Sequence, residues 1–269
     1  MPSIPHTTAS SAGAPLPGAD RVWITASLIA ITALSWLYLL FLGQEMSGMQ
    51  MHSAMRTAVQ PMPKLWSATD FALTFAMWWV MMIGMMLPSA LPVMTMFARI
   101  NRNKREKGKP YVPTMVFAAG YLFAWVIYSL AATGAQWALE SLALMSPMGA
   151  ITSAFLGGIV FVAAGIYQLT PLKHACLRHC RSPLSFILNA WRDGSTGALQ
   201  MGANHGFYCL GCCWILMSLL FVVGVMNLLW VAVIAVFVLA EKLFPAPVWF
   251  GRISGIVMCA WGLFLIASA

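Results

Sequence analysis

The sequence predicts an all-α protein, a polytopic transmembrane helical bundle of about seven helices. The first observation behind this prediction is composition: of 269 residues, 61% are hydrophobic and only 8% are charged. Soluble domains carry about 25% charged residues, and the mean hydropathy of this chain is +0.80. The chain therefore lacks the polar side chains that would cover a soluble globule of its size, which places it among membrane proteins.

Long apolar stretches are the second observation. A helix needs about 20 apolar residues to cross a hydrocarbon core ~30 Å thick. Stretches close to or above this length cover residues 22–42, 71–97, 111–137, 151–168, 198–223, 226–243 and 247–267. The fifth and sixth stretches are almost continuous, and we expect them to form a tight helical hairpin. Since no internal repeat is visible, one transmembrane domain is predicted over residues 21–269.

Basic residues between these stretches predict the orientation of the chain. With the N-terminus in the cytoplasm, all of the 15 Lys and Arg except Arg56 and Lys64 fall on the cytoplasmic side, as the positive-inside rule requires. The C-terminus is then periplasmic, and the predicted location is the bacterial inner membrane. The net charge of +8 resides in these loops and fits anionic headgroups, so nucleic-acid binding is not predicted.

The N-terminal segment differs in composition from the rest of the chain. Residues 1–20 are rich in Pro, Ser, Ala and Gly, which predicts a disordered cytoplasmic tail. This segment has no basic n-region, and the first apolar stretch lacks a small-residue cleavage site, so a secretory signal is not predicted.

The fifth apolar stretch contains the densest group of chemically active side chains. At 100° per residue, His205, Cys209, Cys212 and Cys213 fall within an arc of about 100° on a helix. Four soft ligands that face one neighbour favour a metal site. The alternative is a helix interface of small residues with a buried, hydrogen-bonded histidine, since glycines in the same turns allow close approach of another helix.

A second pair of cysteines, Cys176 and Cys180, lies in the preceding basic loop. If this loop is helical, the two thiols are one turn apart and can reach one metal ion. The surrounding positive charge favours thiolate. An amphipathic turn anchored to headgroups explains the pair equally well. Because none of the six cysteines falls in a predicted outer loop, we expect reduced thiols and no disulfides; Cys259 is expected to pack as a small hydrophobe.

Methionine is the third notable feature, with 20 residues in the chain. Thioether sulfur is a soft ligand that selects Cu(I), although a Met stripe within a helix also fills core gaps well. The depths of the clusters order them into a hypothetical metal path that begins in the first outer loop, crosses the second helix and ends at the cysteines. The relay residues are Met46, Met49, Met51 and His52 in the loop and Met77, Met81 and Met85 in the helix.

Several segments taken together resemble a known family. They read MWWVMMIGMMLPSA in the second helix, then LKHACLRHCRSP, MGANHGFYCLGCCW, LMSLLFVVGVMN and AEK. On this pattern, residues 71–266 resemble a bacterial family of predicted metal-binding integral membrane proteins of unknown function. The resemblance implies no particular reaction. It implies a metal-ligand role for six residues, namely Cys176, Cys180, His205, Cys209, Cys212 and Cys213.

These observations favour a membrane protein that binds a soft transition metal, Cu(I) first and zinc second, for transport across the inner membrane or delivery to a partner. Methionine distinguishes the two metals, because a zinc site gains nothing from thioethers. The alternatives are a structural or accessory subunit of a larger membrane complex without metal, and a thiol–disulfide redox protein. No Ser/His/Asp arrangement, phosphate loop or paired carboxylate predicts an enzyme. The expected partners are the lipid bilayer, the metal ion and a partner membrane protein or metallochaperone.

Overall fold

The computed structural model describes residues 18–54, 66–106, 108, 111–146, 149–243 and 247–269. Over these residues the chain forms helices and a single isolated β-bridge between Met145 and Ile151, which confirms the all-α prediction. The helices are α1 (Gly18–Ala54), α2 (Ala68–Glu106), α3 (Thr114–Ser141), α4 (Ala154–Leu169), α5 (Pro171–Arg181), α6 (Pro183–Ala190), α7 (Gly194–Ser218), α8 (Leu220–Val223), α9 (Leu228–Leu243) and α10 (Pro247–Ala267).

Each predicted apolar stretch coincides with a helix, but the helices differ in length. In the described part of the chain, five helical segments are long and apolar enough to cross a membrane: Val22–Glu45, Ala68–Glu106, Thr114–Ser141, Gly194–Val223 and Trp249–Ala267. Helices α4 and α5 qualify together as a pair bent by 65°. Helix α9 has 16 residues, fewer than the roughly 20 of a straight span. The crossing at 226–243 therefore stays a prediction.

Two predictions fall partly outside the described residues. Of the N-terminal tail, residues 1–17 are not described, and α1 begins at Gly18. The predicted outer loop is shorter than expected, because α1 continues to Ala54. The backbone of Met46, Met49, Met51 and His52 thus belongs to the last turns of α1, while their side chains lie outside the described set.

Helices α3 and α7 are parallel and in backbone contact. A Cβ atom added to Gly202 would lie 2.0 Å from the carbonyl oxygen of Phe117, and one on Gly206 would lie 2.7 Å from that of Tyr121. From the first contact to the second, the residue number increases by four in both helices, so the helices run in the same direction. At these two positions only glycine, which has no Cβ atom, allows the two helix backbones to approach so closely. Small residues in general allow helices to pack closely in lipid. This contact brings the cysteine-bearing face of α7 against α2 and α3.

Helices α4 and α10 form a second close pair, which is antiparallel. Gly158 lies against Gly262, and Gly165 lies against Gly255, in each case near a backbone oxygen of the partner. Both relative directions, α3 with α7 and α4 with α10, are those required if the seven predicted stretches alternate in direction through a bilayer.

Substitution of Gly120 should reveal how tightly α3 and α7 are packed. In Gly120→Ala the new methyl group would lie 2.1 Å from the carbonyl oxygen of Leu199 and 2.8 Å from the amide nitrogen of Ala203, so the helices must separate. We expect a loss of about 1–3 kcal/mol, visible as a lower midpoint of thermal unfolding in mild detergent. Gly134→Ala, in the same helix but with nothing within 4 Å of the new methyl, is the matched control. Equal midpoints for the two variants would contradict this packing.

Candidate metal site

Cys209, in the middle of α7, is the centre of a polar cluster within the bundle. Its side chain is 2% exposed, and its sulfur contacts groups from two other helices. The Tyr121 hydroxyl of α3 lies 3.2 Å from Cys209 Sγ, and Lys242 Nζ of α9 donates to the same sulfur at 2.9 Å. A thiol with a hydroxyl and an ammonium group as neighbours is unusual in the interior of a membrane helix bundle. Charged side chains in that environment mark functional sites.

Two further thiols of α7 lie one turn beyond Cys209. The thiols of Cys212 and Cys213 both donate to the Cys209 carbonyl oxygen at 3.0 Å. Cys213 Sγ also lies 4.0 Å from the Met86 sulfur of α2. Both cysteines are buried. The helical periodicity of the sequence therefore placed these thiols correctly on the inward face of α7.

Helix α5 brings the other two predicted cysteines to the same place. It begins in a favourable way, since the Thr170 side chain accepts from Lys173 N and Pro171 occupies the first turn, where its missing N–H is harmless. Cys176 packs over Gly211 of α7, with its sulfur 3.0 Å from where a Cβ would lie. Cys180 packs against the buried cluster that contains Cys209 and Cys212. The loop is helical, which is the condition under which Cys176 and Cys180 were expected to lie one turn apart.

His205 lies one turn before Cys209 and is 3% exposed. Its ring is enclosed by aromatic side chains, with centroid distances of 5.2 Å to Phe186, 5.9 Å to Tyr121 and 6.4 Å to Phe117. Its Nδ1 atom is buried and has no hydrogen-bond partner among the described residues. Buried polar atoms normally have a partner, so this nitrogen is available to a ligand beside the thiols.

The end of α9 supplies two ionisable residues, Glu241 and Lys242, that are not among the predicted site residues. Lys242 reaches inward, where its ammonium group also donates to Ser89 Oγ at 2.9 Å. Its neighbour Glu241 turns the other way and forms an ion pair with Lys173 of α5, with both carboxylate oxygens 2.8 Å from the ammonium nitrogen. Gln168 bonds both members of this pair. The sequence signal for these residues is that two ionisable side chains stand at the end of an apolar stretch, a position that often marks a functional site.

The methionines of α2 are buried but face different neighbours. Met77, Met81 and Met85, the predicted relay residues of this helix, are at most 4% exposed. Met85 lines a cavity of about 280 Å³ between α1, α2 and α9. The thioether in contact with the Cys213 thiol of α7 belongs instead to Met86, which is not one of the predicted relay residues.

The donor groups are close to one another, but their donor atoms do not converge on one position where a metal ion could bind. Among the described residues, no three His, Cys, Asp or Glu side chains form a group that could hold a metal ion. One reason is that the Cys212 and Cys213 thiols are turned back to the Cys209 carbonyl. Rotation about χ1 moves a cysteine sulfur between staggered positions, so small side-chain changes would redirect these donors. A set of thiols with one thioether is soft and suits Cu(I).

The comparisons with known proteins bear on the identity of the metal. No curated protein and no solved structure matches the chain. Residues 75–265 match a family model described as PpoB2, copper chaperone, and this segment includes both cysteine clusters, Met86 and Lys242. The match confirms the prediction of a metal-related family and indicates a copper-related function. With well over half of its length matched, the chain belongs to the PpoB2 copper chaperone family.

Proposed function

We propose that this protein binds Cu(I) on the buried thiols of α5 and α7 and delivers it to a partner protein. The observation that supports the proposal is that the cysteines of α5 pack against the buried cysteines of α7, with the thioether of Met86 in contact with Cys213. Each of these donors is soft, and soft donors select Cu(I). Transport of the ion across the bilayer by the same residues is the second form of the proposal.

The donor set favours copper over zinc. Cysteine and histidine suit zinc as well, but structural zinc sites have four ligands in a closed tetrahedron. Here a thioether and an ammonium group occupy positions next to the thiols, and neither improves a zinc site. Cu(I) accepts fewer ligands, so a pair of thiolates is sufficient to hold it. Zinc is therefore the second choice.

The other predicted residues have roles within this proposal. Cys176 and Cys180 bring donors from the cytoplasmic side to the buried cluster, and the buried Nδ1 of His205 is a further nitrogen donor one turn before Cys209. Met77, Met81 and Met85 provide thioethers along α2. Capture of copper on the outer side is assigned to Met46, Met49, Met51 and His52. The protein resides in the bacterial inner membrane, with its N-terminus in the cytoplasm and its C-terminus in the periplasm.

Metal content is the direct test of this proposal. The protein is purified in mild detergent under reducing, anaerobic conditions, and its metals are measured by mass spectrometry beside a variant with Cys176, Cys209, Cys212 and Cys213 replaced by Ser. We expect near-stoichiometric copper in the wild type and almost none in the variant. The control is Cys259→Ser, because Cys259 lies on α10 against α4. If the wild type remains without copper after Cu(I) is added, the proposal fails and an accessory subunit is the better explanation.

A further inference from the structure

Lys242 has an environment that the function proposed above does not explain. Its side chain is 8% exposed, and its ammonium group bonds Ser89 Oγ and Cys209 Sγ, each at 2.9 Å. The adjacent carboxylate, Glu241, is bound on both oxygens by Lys173. The hydrogen bonds of the Lys242 ammonium in the described structure thus go to a hydroxyl and a sulfur.

A buried ammonium group needs a negative charge close by. Transfer of an unpaired charge from water to an apolar interior is strongly unfavourable, and in proteins such charges are paired. Of the two atoms that Lys242 contacts, only the sulfur of Cys209 readily carries a negative charge, because the thiolate is the form that cations stabilise. The geometry therefore describes a buried ammonium–thiolate pair between α9 and α7.

We propose that Lys242 is a fixed counter-cation that makes the site specific for Cu(I) held between two thiolates, those of Cys209 and Cys180. This inference rests on the proposed function. Cys180 is chosen as the second ligand because its side chain packs against the buried cluster that contains Cys209, whereas the thiols of Cys212 and Cys213 are bonded to a backbone carbonyl. The site then combines donors from two helices, α5 and α7.

The charges balance only for a monovalent ion. When Cu⁺ binds, two Cu–S bonds form, the S–H bond of Cys180 breaks, and its proton leaves to the surrounding water. No electron is transferred. The resulting bis-thiolate complex carries one negative charge, and the Lys242 ammonium neutralises it. A divalent ion between the same two thiolates would leave one positive charge uncompensated in the interior, which is unfavourable for the reason given for any unpaired buried charge.

The test is the affinity for Cu(I) and for Zn²⁺ of wild type, Lys242→Gln and Lys242→Arg, measured anaerobically by competition with chromogenic chelators. Glutamine removes the charge and keeps a donor for Ser89 Oγ, whereas the thioether of a methionine would itself be a ligand for Cu(I). In Lys242→Gln we expect Cu(I) affinity to fall by about tenfold to a hundredfold, and the preference for Cu(I) over Zn²⁺ to shrink. Lys242→Arg should stay close to the wild type because it keeps the charge.

Controls separate the two proposals. Lys104→Gln removes a positive charge that pairs with Asp193 at the end of α2 and should bind Cu(I) like the wild type. Should Lys242→Gln aggregate, Lys242→Leu, which is neutral and carries no metal ligand, takes its place. Unchanged Cu(I) affinity in the neutral variant overturns the role of Lys242 alone. Absence of Cu(I) binding in the wild type overturns the proposed function.

Discussion

Cys209→Ser should abolish tight Cu(I) binding in a protein that still folds, with a lower thermal midpoint because the Lys242 ammonium loses its anionic partner. The Cys209 sulfur is the point at which α3, α7 and α9 meet, and Cys180 of α5 packs against the same buried cluster. Serine can keep the hydrogen bonds to Tyr121 and Lys242, but its oxygen is a hard donor that Cu(I) disfavours. Loss of groups that only support a ligand already lowers metal affinity 10–100-fold, so removal of the central ligand should exceed about a hundredfold.

The measurement is a Cu(I) titration against a chelator, with size-exclusion profiles and thermal midpoints to show that the variant is folded. Cys259→Ser provides a matched change of the same atom in α10, where the thiol lies 3.8 Å from the Val162 carbonyl oxygen. We expect this control to bind Cu(I) normally. A folded Cys209→Ser protein with wild-type affinity would remove Cys209 from the ligand set.

Glu241→Ala should be the most destabilising single change among the polar residues of the bundle. The pair that it breaks is almost fully enclosed, with side-chain exposures of 1% for Lys173 and 3% for Glu241. Removal of one member leaves a charged group buried without its partner, which costs about 3–5 kcal/mol. Because this pair joins α5 to α9, the loss should include detachment of the α5 cysteines from α7.

Chemical denaturation in detergent micelles measures this effect, and a double variant explains its cause. Lys173→Met together with Glu241→Met removes both charges, so it should lose much less stability than Glu241→Ala. Glu106→Ala breaks an exposed pair with Arg102 and should change stability by less than about 1 kcal/mol. If the double variant is no more stable than Glu241→Ala, the unpaired charge is not the source of the loss.

Helices and helix faces were predictable from the sequence because they depend on local pattern. Continuous apolar stretches located α1, α2, α3, α7 and α10, and a period of 3.6 residues placed His205, Cys209, Cys212 and Cys213 on the buried face of α7. The phase of the α2 methionines was harder to predict. Buried methionines occur on more than one side of that helix, so periodicity alone does not distinguish Met85 from Met86.

The partners of Cys209 were not predictable, because they arise from the docking of separate helices. Tyr121 is 88 residues away in sequence and Lys242 is 33 residues away, while Met86 is 127 residues from Cys213. No local pattern relates these positions. A tyrosine in an apolar stretch and a lysine at the end of another are individually ordinary, and only the close contact of α3 with α7 and the inward reach of α9 combine them.

The backbone contact between α3 and α7 has a mechanical consequence. Gly202 and Gly206 place the two helices against each other without intervening side chains. This backbone contact makes one side of the cluster rigid and fixes the spacing between Tyr121 and Cys209. On the opposite side, α5 joins α4 at a 65° bend and is held by the Lys173–Glu241 pair. Under the delivery of copper proposed above, α5 is the helix expected to move when the ion is released, because its contacts are a bend and one ion pair and not a glycine-mediated backbone contact.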